Sequence, residues 1–226
     1  MSTNTRPILF KDEMVRAILD GRKTQTRRVI KPSQAKYPHY VYGSIRNTQN
    51  EIFGLFNYMP DGPGTERVEH STIACPYGKP GDRLWVRETW QHINNEGQKA
   101  DEFEHWQQSP SNCFYLADES SPNNKPMSGR WRPSIHMPRW ASRITLEITN
   151  VRVERLQDVS EGDAKAEGAK SVDPVTGREC VLDRAMGSYR LHFQSIWQSI
   201  NGPESWEANP WVWVIEFKRI PQEAGQ

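Results

Sequence analysis

Long apolar runs are missing from this chain of 226 residues. No stretch approaches the roughly 18 to 20 consecutive apolar residues that a membrane-spanning helix needs, so a membrane partner is not expected. The opening MSTNTRPILF lacks the charged-then-apolar profile of a signal peptide, and a cytoplasmic location follows as the expectation. Cysteine is scarce: Cys75, Cys113 and Cys180 are odd in number and show no CxxC spacing. That excludes a disulfide framework and a zinc ribbon, and predicts reduced, buried thiols. Net charge is nearly absent, at +1 from 29 basic and 28 acidic residues, which taken alone argues against a strongly basic nucleic-acid binder. Hydrophobic residues reach only 35% and mean hydropathy is -0.81. What is present is aromatic: nine Trp, seven Tyr and seven Phe must carry much of the core.

The near-zero balance conceals a local asymmetry. Residues 1–36 hold nine Lys or Arg against Asp12, Glu13 and Asp20. Residues 128–143, SGRWRPSIHMPRWASR, hold Arg130, Arg132, Arg139 and Arg143 with no acid. Both are candidate anion-facing surfaces. Residues 95–121 carry Glu96, Asp101, Glu102, Glu104, Asp118 and Glu119 against Lys99, and a phosphate backbone would repel them.

Periodicity sketches the elements. Asp12 is a candidate cap for a short helix with Met14, Ala17 and Ile18 on its apolar face and Gly21 as its stop. A strand is expected from Thr24 to Pro32, and a hairpin from Tyr40–Ile45 and Ile52–Tyr58. After the turn Pro80-Gly81-Asp82, residues 83–90 alternate, with Leu84, Val86, Glu88 and Trp90 on one face. Glu88 is thus an acid on an apolar face, a placement that calls for an arginine partner or a chemical role. A short strand is expected at Cys113–Leu116. A longer one begins at Ile144 and changes phase at Asn150, as at a bulge. Ser160 caps a helix to Gly168, and Tyr189, Phe193, Ile196, Trp197 and Ile200 form the stripe of another. A closing strand, Trp211 to Ile220, places Trp211, Trp213, Ile215 and Phe217 on one face.

The Gly21-Arg22-Lys23-Thr24-Gln25-Thr26-Arg27-Arg28 turn, the Pro80–Glu88 strand, the Leu156–Gly168 segment and the closing Trp213–Phe217 occur in an order that resembles the ASCH domain. With CPYGKPGDRLWVRETW and SIHMPRWASRITLEIT the chain looks like the larger ASCH proteins of phages and prophages. The resemblance covers residues 6–36, 75–90, 131–168 and 188–220 and implies an α+β fold. It further implies a small PUA-like β-barrel associated with RNA, with flanking helices. The whole chain, 1–226, then reads as a single domain with insertions at about 37–77 and 94–130. The smallest ASCH proteins include N4-acetylcytidine amidohydrolases, and the resemblance implies Lys23, Thr26 and Glu167 as their catalytic set here. Glu161 and Asp163 compete for the acid's place if the register slips.

The set is chemically coherent. Amide hydrolysis needs a nucleophile, a proton for the leaving amine and stabilisation of an oxyanion. Thr26 would attack, Lys23 would accept its proton if neutral, and Glu167 would protonate the leaving nitrogen; if Lys23 stays charged, Glu167 becomes the base. Arg22, Arg27 and Arg28 lower the Lys23 pKa and Glu167 raises it. With Glu88 these arginines complete the expected substrate-binding set. Arg130, Trp131, Arg132, Arg139 and Trp140 form a second one, in which indole rings stack on unpaired bases and guanidiniums hold phosphates; the bland reading is two core tryptophans flanked by surface arginines. No cofactor is expected. No metal is expected either, because His136 has no second ligand at a suitable spacing. The expected partner is RNA or a modified nucleoside. The functional reading is hydrolysis of an N4-acylated cytidine, with a non-catalytic nucleic-acid-binding module and a metal-independent ribonuclease using the same residues as alternatives.

Overall fold

The structure is a computed structural model and describes residues 3–31, 40–46, 52–58, 70–92, 113–118, 130–180 and 187–221; for 40–46, 52–58 and 70–73 the backbone alone is described. In chain order its strands are β1 (Thr5–Leu9), β2 (Gln25–Val29), β3 (Tyr40–Arg46), β4 (Ile52–Tyr58), β5 (His70–Ala74), β6 (Arg83–Arg87), β7 (Trp90–His92), β8 (Cys113–Tyr115), β9 (Thr145–Arg155) and β10 (Trp211–Ile220). The α-helices are α1 (Asp12–Leu19), α2 (Glu161–Ala166) and α3 (Tyr189–Asn201). The protein is α+β. The ladders among the described residues are open and do not close into a barrel.

The chain divides into two compact units. The first takes Met1–Gly21, Asp82–Glu147 and Lys218–Gln226. Here β1 runs parallel to β6, with Pro7 opposite Trp85 and Leu9 opposite Arg87. β6 in turn pairs antiparallel with the opening of β9, Trp85 opposite Thr145 and Leu84 opposite Leu146. Side chains alternate across a strand, so one face of these three strands carries Ile8, Leu84, Val86 and Leu146, at 1%, 0%, 0% and 0% exposure. The other face carries Pro7, Leu9, Arg83, Trp85, Arg87 and Thr145. Helix α1 buries Met14, Val15, Ala17 and Ile18. Asp12 is its first residue rather than its cap: Lys11 occupies the cap position, with no side-chain cap bond. Gly21, at φ 74, takes the left-handed conformation that ends this segment. A second cluster joins Trp90, Tyr115, Met137 and Ala141, with Cys113 and Trp140 packed against it, and β7 and β8 pair antiparallel beneath it.

The second unit takes Arg22–Gly81 and Ile148–Phe217. In it β2 pairs antiparallel with β10, Thr26 opposite Ile215 and Arg27 opposite Val214, and β9 is the other neighbour of β10. The phase change at Asn150 is visible in the burial of Ile148, then of Val151 and Val153. Ser160 caps α2 by accepting the Asp163 amide at 3.0 Å. The helix ends at Ala166, earlier than the expected Gly168, and Gly168 turns the chain at φ 87. Of the apolar stripe on α3 only Phe193 and Trp197 are buried, while Ile200 is 46% exposed. Phe193 and Trp197 join Leu156, Val159, Ala164, Ala169, Trp206, Val212 and Val214 in one core cluster. The closing strand is therefore buried on both faces, since Trp213, Ile215 and Phe217 are buried as well. The expected hairpin is present as β3 and β4, and β5 adds a third antiparallel strand that the sequence pattern did not announce. Much of the two expected insertions, including residues 59–69, 93–112 and 119–129, lies outside the described residues.

Candidate functional site

Glu167 is placed by the end of α2. As the C-cap residue it donates its amide to the Asp163 carbonyl at 2.8 Å. An isolated antiparallel bridge joins it to Lys23, and the flanking amide of Thr24 donates to the Ala166 carbonyl at 2.8 Å. Thr24 in turn accepts from the Phe217 amide at 2.8 Å, so the turn leading into β2 is held on both sides. These backbone bonds bring together two side chains 144 residues apart. Lys23 Nζ donates to Glu167 Oε2 at 2.8 Å and to the Glu167 carbonyl at 2.7 Å. The second contact lets a cation meet the last carbonyls of a helix, where the backbone dipoles favour positive charge. Both residues are 4% exposed. Burial pushes the Lys23 ammonium below the ordinary lysine value, the Glu167 carboxylate opposes that shift, and Arg28 and Arg27 reinforce it. Burial is thus the dominant influence, one that the arginine count in the sequence does not contain.

Glu167 Oε1 accepts from Arg27 Nη1 at 3.2 Å. The Arg27 guanidinium, with its side chain fully buried, also donates to Glu154 at 2.9 Å and lies 3.5 Å from Asp163. Arg152 extends the network to Glu154, Glu216 and, at 2.8 Å, Asp163. Burial tends to raise the Asp163 carboxyl, but the Ser160 hydroxyl, Arg27 and Arg152 together hold it below the usual aspartate value. Asp163, a competitor for the Glu167 role, therefore serves Arg27 and Arg152. Glu161, the other competitor, accepts from the Ser188 hydroxyl at 2.7 Å and the Tyr189 amide at 2.6 Å at the start of α3.

Thr26 stands apart from this network. It lies opposite Ile215, on the face of β2 that alternates with the face of Arg27, and its hydroxyl makes no hydrogen bond among the described residues. Arg22 is exposed and donates to the Gly168 carbonyl at 3.3 Å. Burial lowers Arg28, while Tyr77 and Glu167 oppose that shift.

Glu88 belongs to the first unit and has the arginine that its apolar face called for. Arg143 grips both of its oxygens, Nε to Oε1 at 3.0 Å and Nη2 to Oε2 at 2.9 Å, and reaches Asp118 at 2.6 Å. Burial raises the fully buried Glu88 carboxyl, and the Arg143 fork pulls it back. Arg130 is exposed and Trp131 half-buried. The Arg132 guanidinium lies 5.4 Å from the centre of the Trp90 ring, and Arg139 lies 5.8 Å from that of Trp85. Trp140 meets Trp90 and His92 edge-on at 5.7 and 5.2 Å, so one of the two expected stacking rings is engaged internally. None of the three cysteines forms a disulfide among the described residues; Cys75 is buried and Cys113 and Cys180 are half-buried.

Arg152, Glu154 and Glu216 were absent from the expected site. Their signal was available in part: Arg152 and Glu154 alternate with buried Val151 and Val153, which marks a polar strand face without naming what it meets. Among the described residues no group of three or more His, Cys, Asp or Glu is placed to hold a metal, and no helix is long and apolar enough to cross a membrane.

Fold and geometry together define an α+β protein whose second unit contains a buried lysine–carboxylate pair inside a larger charge network. No protein-family model, no curated protein and no solved structure matches the chain.

Proposed function

We propose that the chain is an ASCH-type protein with a PUA-like barrel, and that its Lys23–Glu167 pair hydrolyses the amide of an N4-acylated cytidine or a closely related nucleoside. The observation that carries this reading is the 2.8 Å contact between a lysine and a carboxylate that are both 4% exposed. A solvated turn lysine has no reason to be there. Burial also draws its ammonium toward neutrality, the state in which an amine accepts a proton.

Amide hydrolysis requires one proton to leave the nucleophile and one to reach the departing nitrogen. In the fraction of molecules whose Lys23 has given up its proton, its amine takes the first from the attacking hydroxyl, and the hydrogen bond to Glu167 carries a proton onward to N4 as the carbon–nitrogen bond breaks. Arg27, held on the second oxygen of Glu167, fixes the carboxylate's orientation. The attacking hydroxyl is that of Thr26 or of water. A threonine attack leaves an ester that water then cleaves, so both routes yield the free acid and cytidine.

The test is incubation of the purified chain with N4-acetylcytidine and, separately, with a short single-stranded RNA, with a chelator present throughout. Cytidine release is expected, falling at least about 100-fold in Lys23→Ala and Glu167→Gln. A matching loss in Thr26→Ala assigns the nucleophile to the threonine; retention assigns it to water. Absence of cytidine release refutes the reading, and shortening of the RNA replaces it with phosphodiester cleavage.

A further inference from the structure

The β7–β8 hairpin of the first unit holds a polar pair that the Lys23–Glu167 chemistry does not use. Trp90, Gln91 and His92 are all buried, with His92 at 5% exposure. Neither ring nitrogen of His92 has a hydrogen-bond partner among the described residues. A neutral imidazole carries one donor and one acceptor, so both are buried here at a cost. A buried polar group with no protein partner is characteristic of a place that receives a ligand.

The strand register sets what stands beside it. Trp90 directs its amide and its carbonyl at Arg132, at 3.2 and 2.8 Å, so neither points at β8. These directions alternate along a strand, so Gln91 is the residue bonded to β8 and His92 is not. His92 lies opposite Cys113. Theirs is therefore a non-hydrogen-bonded antiparallel pair, in which the α-carbons come to about 4.5 Å and the two side chains lie close together on one face. A shared neighbour agrees with the register. Trp140 meets the His92 ring edge-on at 5.2 Å, and both Trp140 and Cys113 pack against the cluster of Trp90, Tyr115, Met137 and Ala141. Among the described residues no further His, Cys, Asp or Glu joins the pair to make a group of three.

A thiol beside an imidazole suggests a nucleophilic dyad, but the thiol rules that out. Burial pushes Cys113 up to about 11, the opposite of an activated cysteine, even though the Tyr115 hydroxyl pulls it back. Sulfur and imidazole nitrogen are also the donors that hold thiophilic metals. Ligand number and charge select among these. Zinc takes four ligands, and the pair supplies two. A divalent ion on a single thiolate would leave a buried positive charge near Arg132, the charged group that acts on His92. A monovalent ion and a thiolate sum to zero, so the site stays neutral. We infer that His92 and Cys113 form a two-coordinate site for copper(I), which bonds one ring nitrogen and the sulfur and so ties β7 to β8. The thiol proton leaves as the copper–sulfur bond forms, and the metal keeps its oxidation state. The site lies wholly within the first unit and does not depend on the hydrolase reading.

The experiment titrates the reduced full chain with copper(I) alone under argon, in competition with the coloured chelator bicinchoninate. The chain is expected to take a single ion from the chelator, releasing a proton as it does so, and its Tm is expected to rise. X-ray absorption at the copper edge of the loaded wild type is expected to show a sulfur and a nitrogen donor, a readout that no variant's folding can confuse. His92→Phe and Cys113→Ser are each expected to weaken uptake at least about 100-fold, the upper end of what loss of a supporting contact costs a metal site. Cys75→Ala with Cys180→Ala, both in the other unit, is expected to stay within about three-fold of wild type. Without copper, His92→Phe is expected to melt at or above the wild-type temperature, since phenylalanine fills the ring's place and brings no orphaned nitrogen. No uptake by wild type, uptake that survives His92→Phe, a spectrum with sulfur donors only, or loss of uptake in Cys75→Ala with Cys180→Ala would overturn the inference. So would a metal-free His92→Phe that melts well below wild type, because the ring would then be bonded within the protein. Release of cytidine from N4-acetylcytidine is expected to be unchanged in His92→Phe, so failure of this site and failure of the hydrolase are separately visible.

Discussion

Removal of the Glu167 charge probes the buried pair most directly. In Glu167→Gln, Lys23 keeps the backbone carbonyl of residue 167 but loses its counterion, whereas Arg27 retains Glu154 and Asp163. The uncompensated charge therefore falls on Lys23, whose side chain is 2% exposed. Breaking a buried pair from one side costs about 3–5 kcal/mol, which for a chain of this size lowers Tm by about 6–20 °C. The cost depends on pH in a fixed direction. Burial already sets the folded value of Lys23 below the ordinary 10.5, so between those values the unfolded chain binds more protons and stability rises with pH. Loss of the carboxylate removes the main opposing influence and extends that window downward. The deficit is then greatest at the low end of the pH series and shrinks as pH rises toward the ordinary lysine value. Urea unfolding followed by tryptophan fluorescence at pH 6, 8 and 9.5 measures it. Lys23→Met with Glu167→Gln supplies the second arm, because an uncharged pair of similar volume restores most of the loss. A Glu167→Gln deficit below about 1 kcal/mol, or one constant across the pH series, would refute the idea that the pair is ionised and coupled.

Three further outcomes follow from other parts of the fold. Arg143→Ala leaves the fully buried Glu88 without its fork and is expected to cost about 3–5 kcal/mol; burial raises the folded Glu88 value, so the deficit grows as pH rises above 4.5, which unfolding at pH 4 and pH 8 compares. Ser160→Ala removes the α2 cap and a 2.9 Å bond to Asp163, costing about 0.5–2 kcal/mol. Asp163 is held low in the folded state, so its contribution is present above pH 3.8 and lost as pH falls; acid unfolding monitored by circular dichroism should begin at a higher pH in the variant. Gly202→Ala forces a side chain into φ 99 at the end of α3 and is expected to destabilise by about 1 kcal/mol or more, read as a fall in Tm.

Elements were legible where the signal is local. The hairpin strands β3 and β4, the phase change at Asn150 and the Ser160 cap follow from backbone preference and alternation among neighbours. The start of α1 was read one residue late as a cap because an aspartate at the first helical position and one at the cap position look alike in sequence. For the closing strand only the face of Trp211, Trp213, Ile215 and Phe217 was read, because its odd-numbered aromatics dominate the pattern. Val212 and Val214, small and β-branched, turned out to meet the core around α3. The resemblance singled out Lys23 and Glu167 together, and they are in contact. It singled out Thr26 with them, and strand alternation sends that hydroxyl to the other face from Arg27.

By itself the sequence determined the mixture of short strands and helices, the uneven distribution of charge, and the need for a partner at Glu88, because each is a property of residues close along the chain. Tertiary structure alone decided which charges cancel. The basic N-terminal segment looked like an anion-facing surface, yet Arg27 is consumed by Glu154, Asp163 and Glu167, which lie 127 to 140 residues later in the chain. Arg87 was an ordinary strand residue in the sequence, and in the fold it shares the Trp85 ring with Arg139 and holds no carboxylate among the described residues. The physical reason is distance. Propensity and periodicity act over a few residues, whereas an ion pair depends on the few ångströms between groups that only folding brings together.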